Sequence, residues 1–300
     1  MTTDKGRLGA GTAAMFAGAV FIGGANFVAV RFSNRELPPF WGAGLRFILA
    51  AALFTVICLA LRLRWPRGKH LVLIGFYGLL SFALSYALMY WALVRVSAGM
   101  AAVVLAAVPL ITPLLAAAQR LESLSRRTLI GAVVALTGIL VKTVSPEGLE
   151  LPLTGLLAMV LAAVTVSQSV IIGKRVSADH PAMINAVGMA IGVPVLLAIS
   201  AVAGESWILP QAPEVVWSVV YLVTVGSVGL FVLFLLVVRR WTASATAYAF
   251  VLFPVVAMFL EAWLEDVPLT VRGLAGALIV MTGVWFGVLA KPRSPIPVGT

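Results

Sequence analysis

RVSAGMAAVVLAAVPLITPLLAAAQRLESLSRRTLIGAVVALTG, residues 95–138, has a second, diverged copy in the same chain. Shifted by 145 positions it falls without a gap on RWTASATAYAFVLFPVVAMFLEAWLEDVPLTVRGLAGALIVMTG, residues 240–283, and 13 of the 44 paired positions are identical. Matches of Ala and Leu carry little weight in a chain this apolar. Six others carry more: Arg95/Arg240, Pro109/Pro254, Arg127/Arg272, Gly131/Gly276, Thr137/Thr282 and Gly138/Gly283. Their order and spacing persist across two apolar segments and the joint between them. The pattern reads as an internal duplication.

Working outward, the 300 residues are 62% hydrophobic and 11% charged. Ordinary globular domains are about 45–50% apolar and about 25% charged. A soluble fold could not hide this much apolar surface, so the composition implies an integral membrane protein. The net charge of +10 is no sign of nucleic-acid binding, because the basic residues sit in short joints between apolar runs. The single cysteine, Cys58, lies in an apolar run and cannot form an intramolecular disulfide. His70 and His180 both fall in joints. No metal site is expected, and no cofactor, since the chain lacks a G-x-x-x-x-G-K-[ST] sequence.

A bilayer core about 30 Å thick needs about 20 helical residues. Cutting at charges, prolines and polar clusters predicts an all-α fold of ten transmembrane helices, at 9–30, 40–61, 71–93, 97–118, 127–144, 153–173, 181–202, 214–237, 242–263 and 271–290. Helices are required because lipid cannot satisfy free backbone groups, and the runs lack the alternation of a β-barrel. Lys5 and Arg7 precede the first run as in a signal peptide, but its length and the nine runs after it read as a retained helix. Counting Lys and Arg, fifteen lie on the side that holds both termini and five on the other: Arg31, Arg35, Arg95, Lys142 and Arg272. That asymmetry predicts cytoplasmic N- and C-termini.

Five helices per copy is an odd number, so the second copy must enter the membrane from the opposite face. Met15/Met159 and Arg31/Arg175, at an offset of 144, extend the match to the first helix of each copy. The predicted units are 1–147 and 148–290, two inverted five-helix repeats around a central cavity, followed by a disordered cytoplasmic tail, 291–300. Inverted repeats that rock about a midplane site are a transporter plan.

Several residues then carry a resemblance. Tyr90 and Trp91 end an aromatic-rich third helix, Ser97 to Gly99 form a small-residue turn, and Pro109 interrupts the fourth helix. Glu122 stands nine residues before Gly131, and Thr137-Gly138 follows. Upstream come Gly24-Ala25-Asn26-Phe27 and Leu45-Arg46-Phe47. Over nearly its whole length the chain resembles the drug/metabolite transporter superfamily, EamA type, and within it the aromatic amino-acid exporters of bacterial inner membranes. The resemblance implies a cavity lined by helices 1, 3, 4, 6, 8 and 9, with 5 and 10 behind. Two features depart from symmetry: Met189 or Ala190 stands where the second half would match Arg46, and Glu265–Asp266 fall one or two positions off Glu122.

Tyr77, Ser81 and Ser85 share one face of helix 3 at i, i+4, i+8, a polar stripe that should avoid lipid. Tyr221 and Thr224 form a similar stripe on helix 8, with Tyr248 and Met100 expected to face the same space. Trp217, near a helix end, reads as an interfacial belt residue. Asn26 and Gln168 are uncharged polar groups able to hold an ammonium and a carboxylate, or to join helices. The expected cavity set is therefore Asn26, Tyr77, Ser81, Ser85, Met100, Gln168, Tyr221, Thr224 and Tyr248. Pro109 and Pro254 remove a backbone hydrogen bond mid-helix and are the expected hinge or kink points. Gly131, Gly138, Gly276 and Gly283 are expected to pack helices 5 and 10 together. Arg46, inside a span, is expected to serve structure.

No carboxylate or histidine lies near the middle of a span, which argues against a membrane-embedded enzyme and for downhill movement without proton coupling. The expected function is export of amino acids, aromatic or apolar ones foremost, by alternating access. The alternative is a proton-coupled exporter of drugs or other small metabolites. Expected partners are a small-molecule substrate and the lipid bilayer, no nucleic acid, with the protein a monomer or weak dimer in the bacterial inner membrane.

Overall fold

The computed structural model describes residues 10–121, 125–143, 153–176, 179–240 and 243–289. All secondary structure in them is helical. The elements are α1 (Ala10–Ser33), α2 (Pro39–Ala60), α3 (Lys69–Gly78), α4 (Ser85–Leu93), α5 (Ala98–Leu105), α6 (Val108–Ala118), α7 (Arg126–Thr143) and α8 (Leu153–Val176). There follow α9 (Pro181–Val202), α10 (Pro213–Val223), α11 (Leu230–Arg240), α12 (Ala243–Leu264) and α13 (Val271–Val284). Three π-helical segments complete the set: π1 (Leu79–Leu84) joins α3 to α4, π2 (Thr224–Gly229) joins α10 to α11, and π3 (Trp285–Leu289) extends α13. Among the described residues seven stretches are long and apolar enough to cross a membrane: Gly11–Ser33, Pro39–Ala60, Lys69–Leu93, Ala98–Ala118, Leu153–Gly173, Pro181–Val202 and Pro213–Leu233. The predicted tail 291–300 and Glu122 lie outside the described residues.

Helix starts are fixed by local chemistry. Pro39, Pro181 and Pro213 occupy first-turn positions, where no backbone N–H is needed. Ser97 Oγ accepts from Met100 N at 3.1 Å and Thr270 Oγ1 from Gly273 N at 3.0 Å, capping α5 and α13. Three helix starts, that of α5 among them, also receive carboxylates from far along the chain. Glu36 accepts from Gln211 N and Ala212 N ahead of α10, Glu205 from Phe40 N and Trp41 N in α2, and Glu261 from Ala98 N and Gly99 N in α5. An N-terminal helix dipole favours such anions. These caps, with the Arg35–Glu265 ion pair, gather the joints after α1, α4, α9 and α12 at one end of the bundle. That is the end predicted to be outer. At the other end, Gln119 Nε2 donates to Gln168 Oε1 at 2.7 Å, and His70 Nδ1 lies 2.7 Å from Asp179 Oδ2.

Packing pairs α2 with α9, α7 with α13, α1 with α12, and α4 and α6 with α8. The α7–α13 contact is glycine on glycine. A Cβ at Gly131 would lie 2.5 Å from the Gly283 carbonyl, and one at Gly138 2.7 Å from that of Gly276. The opposite faces of these helices are exposed leucine, isoleucine and valine, among them Leu129, Val133, Leu136, Leu140, Leu274 and Leu278. In water such a surface would aggregate; in a bilayer it is the solvated one.

The sequence reading treats Pro109 and Pro254 as equivalents, but they differ. The chain breaks at Ala106–Ala107, so Pro109 sits in the first turn of a new helix, α6, where it costs no hydrogen bond. Pro254 stays inside a continuous α12. Gly23 and Gly24 of α1 lie against Phe253 and Val256 beside it.

Candidate functional site

Between α1, α3, α4, α5, α8, α11 and α12 lies a cavity of about 310 Å³. Its wall is mostly aromatic. Phe82 sits at the centre of one group, with ring centroids 5.9 Å from Tyr77, 6.5 Å from Tyr86 and 5.9 Å from Phe231. Phe253 centres another, 6.5 Å from Phe27 and 5.2 Å from Phe250. Edge-to-face and offset ring pairs at these separations are attractive and stiff. Among the described residues the polar atoms on the wall belong to Asn26, Tyr77, Ser81, Ser85, Tyr86 and Ser169; none of these is a carboxylate, Lys, Arg or His.

The backbone is irregular at this place. π1 contributes Ser81 and Phe82 to the wall, and π2 runs directly into Leu230 and Phe231. A π-turn accommodates one extra residue and turns later side chains to a new face. The segments occupy matching positions: Leu79–Leu84 plus 145 is Thr224–Gly229. Matching positions also meet across the cavity, as Ser85/Leu230, Tyr86/Phe231 and Leu105/Phe250 at 145 and Asn26/Val170 at 144.

Two side chains, one on the wall and one off it, hold π2. Asn26 Nδ2 donates to Gly226 O at 3.0 Å. Arg46 Nη2 donates to the same oxygen at 3.1 Å, and its Nε to Ser227 Oγ at 3.0 Å. A carbonyl has two lone pairs, so both donors can be accommodated. The guanidinium is 1% exposed and lies 5.1 Å over the Tyr86 ring. It forms no ion pair among the described residues. A Cβ at Gly226 would collide with Asn26 Oδ1, so glycine is what lets the helices close here.

Of the expected cavity residues, the structure brings Asn26, Tyr77, Ser81 and Ser85 to the wall. Gln168 is elsewhere, paired to Gln119, and its neighbour Ser169 takes the wall position. Tyr221 lies just behind, its hydroxyl donating to Ile22 O at 3.1 Å. Thr224 is exposed and bonds its own helix at Val220 O. Met100 is half-buried in the first turn of α5 and off the wall. The Tyr248 side chain lies outside the described residues. Trp217 is exposed near the start of α10. Sequence reasoning passed over Phe27, Phe82, Tyr86, Met89, Phe231, Phe250 and Phe253, since an apolar residue in a span signals lipid and cavity alike. The signal present in the chain was aromatic clustering around the polar stripe.

Asn26→Leu should leave Gly226 O with one donor and cost about 0.5–1.5 kcal/mol. The expected readout is a lower melting temperature in detergent together with reduced flux. Thr224→Val, which removes only a self-bonded hydroxyl, should match wild type in both.

A model of the EamA-like transporter family matches residues 11–144 and again 153–289. A Salmonella typhimurium protein described as a "probable amino-acid metabolite efflux pump" is 28% identical over 280 residues, covering 90% of this chain and 92% of its own. The Escherichia coli protein described as an "uncharacterized inner membrane transporter", YedA, is 29% identical over 290 residues, 93% of each. A solved crystal structure aligns with a TM-score of 0.66 at 18% identity over 93% of this chain and 96% of its own, a likeness of fold.

Proposed function

Since the chain belongs to the EamA-like transporter family, a family of transporters rather than enzymes, we propose that it exports aromatic and other apolar amino acids from the cytoplasm by alternating access. The observation that carries this reading is the aromatic cavity, whose few polar groups are uncharged among the described residues. Such a wall suits an apolar side chain by ring stacking and apolar contact. At about 310 Å³ it stands at the small end of the roughly 300–1,000 Å³ typical of ligand sites. That size favours a single amino acid over a nucleotide-sugar. Relatives named for amino-acid efflux support the same class.

The cycle follows from the duplication. In this reading α7, α12 and α13 also cross the membrane, completing ten helices in two inverted units, 1–147 and 148–290. Matched π-segments and matched wall positions support a two-fold axis through the cavity. Both termini are cytoplasmic by the Lys and Arg count, in the bacterial inner membrane. Symmetry-related units can exchange roles about a central site. With no carboxylate or histidine among the described wall residues, the reading is of downhill, uncoupled movement.

The test is flux of a labelled amino-acid panel through purified protein in liposomes without an ion gradient. Saturable movement of phenylalanine, tryptophan or leucine is the expected result. Flux that needs a pH gradient and survives clamping of the membrane potential would replace the uncoupled cycle with a proton-coupled one. No amino-acid flux from folded protein would leave the drug and metabolite exporters of the family as the reading.

A further inference from the structure

The central cavity leaves a chemical problem for an amino acid. Its wall can hold an apolar side chain, but no charged group lines it among the described residues. A zwitterion's carboxylate and ammonium are costly to desolvate without partners. Partners exist one helical turn away. Phe27 and Met89 line the central cavity; four residues further along the same two helices, Arg31 and Leu93 line a second pocket of about 310 Å³. One turn advances about 5.4 Å, so the two spaces are neighbours along α1 and α4.

The second pocket is lined by Arg31, Asn34, Arg35, Leu93, Val94 and Glu265, at the end predicted to be outer. Arg31 Nε lies 2.9 Å from Glu265 Oε2, and Arg35 Nη2 lies 3.3 Å from Glu265 Oε1. Two guanidiniums thus share one carboxylate. Glu261 is also near, 3.9 Å from Arg31 Nη1, but its oxygens are committed to Ala98 N and Gly99 N at the head of α5. Asn34 Nδ2 donates to Tyr90 O at 2.9 Å, which leaves its buried Oδ1 without a partner.

We propose that this pocket is a second binding site, for the zwitterionic head of an amino acid on its way out, and that the bound head replaces the ion pair holding α1 to the end of α12. The carboxylate takes the Arg31 and Arg35 guanidiniums. The ammonium takes Glu265 and the free Asn34 oxygen. Every charge keeps an opposite neighbour during the exchange, so release of Arg31 from Glu265 carries no uncompensated charge. Planar guanidiniums bind a carboxylate through paired hydrogen bonds, which makes the site selective for that group. At the matching positions of the other end stand Arg175 (31 plus 144), Asp179 (35 plus 144) and Arg120 (265 minus 145), the last two with their signs exchanged, and Asp179 lies instead 2.7 Å from His70 Nδ1.

This inference rests on the proposed amino-acid export, and the experiment separates the two. L-Phenylalanine, its methyl ester (no carboxylate) and N-acetyl-phenylalanine (no ammonium) are compared, by flux in liposomes and by binding to the purified full chain. Wild type is expected to prefer phenylalanine over either analogue by about tenfold or more, the worth of one charge-assisted hydrogen bond. Arg35→Gln keeps the Arg31–Glu265 pair and should raise KM for phenylalanine several-fold while collapsing the preference over the methyl ester. Glu265→Gln should collapse the preference over the N-acetyl compound. If both variants change all three fluxes by one common factor, the pair is a structural latch and the second site is overturned. If wild type neither binds nor moves phenylalanine, both the site and the export reading fall.

Discussion

Replacing Arg46 by alanine is expected to cost about 3 kcal/mol or more, since two charge-assisted hydrogen bonds worth about 1.5–3 kcal/mol each disappear. Ser227 Oγ and the Gly226 carbonyl both lose a donor, inside the protein and out of reach of water. The guanidinium is itself costly to bury, several kcal/mol even after relaxation, and that cost separates the variants. Arg46→Met keeps the stem's packing and sheds the charge, so it should be the milder change. Arg46→Lys keeps a charge but replaces the rigid planar fork that meets Ser227 and Gly226 with a single nitrogen on a flexible stem. All three should depress flux, because π2 sets where Leu230 and Phe231 meet the cavity. Thermal unfolding in detergent, paired with liposome flux, checks the order. An alanine variant that melts and transports like wild type would mean that π2 holds without the Arg46 donors.

The second large effect lies away from the cavity. Gly131→Val with Gly138→Val should prevent accumulation of folded protein. At each position the new atom would meet backbone rather than a side chain that could rotate away: the Gly283 carbonyl at 2.5 Å from position 131, and both Gly276 O and Val280 N at 2.7 Å from position 138. Overpacking of this sort costs about 1–3 kcal/mol per site. Helix association in lipid rests largely on close packing, and beside it stands the hydrogen bond from Thr128 Oγ1 of α7 to Gly287 O of π3 at 3.2 Å. Leu136→Ala, on the exposed face of α7, is the control and should fold as wild type. Size-exclusion profiles after mild detergent extraction give the answer. A monodisperse double variant would show that the two helices can part without loss of the fold.

Helix limits were legible to within a few residues. The expected 181–202 coincides with Pro181–Val202, and 127–144 differs by one residue from Arg126–Thr143. Lipid enforces this, since every apolar run must satisfy its own backbone and ends where charge or proline begins. The glycines at 131, 138, 276 and 283 were legible as packing residues because few other uses exist for two glycines a heptad apart on an apolar helix. The stripe Tyr77, Ser81, Ser85 was legible because three hydroxyls on one face have few places to go in hydrocarbon.

The wall of the cavity was not. Gln168 and Ser169 are adjacent in sequence, yet one meets Gln119 and the other the cavity. Rotation of α8 decides between them, and rotation comes from packing against α4 and α6. Tyr221 and Thr224 precede or open π2, which shifts the phase of helix 8 by the time it reaches Phe231. No residue type announces a π-turn. Pro109 and Pro254 look alike in the alignment of the two copies, and only neighbouring helices make one a break and the other a continuous turn.

By itself the sequence determined the solvent, the helical class and the duplication, because these depend on composition and on spacing along one chain. Tertiary structure alone decided which apolar residues face lipid and which face the cavity. Both surroundings are equally apolar, so no transfer energy separates them until the helices meet. It also decided that Arg46 meets a carbonyl and Arg31 a carboxylate, because partners 180 and 234 positions apart are chosen by how α1, α2, π2 and α12 pack.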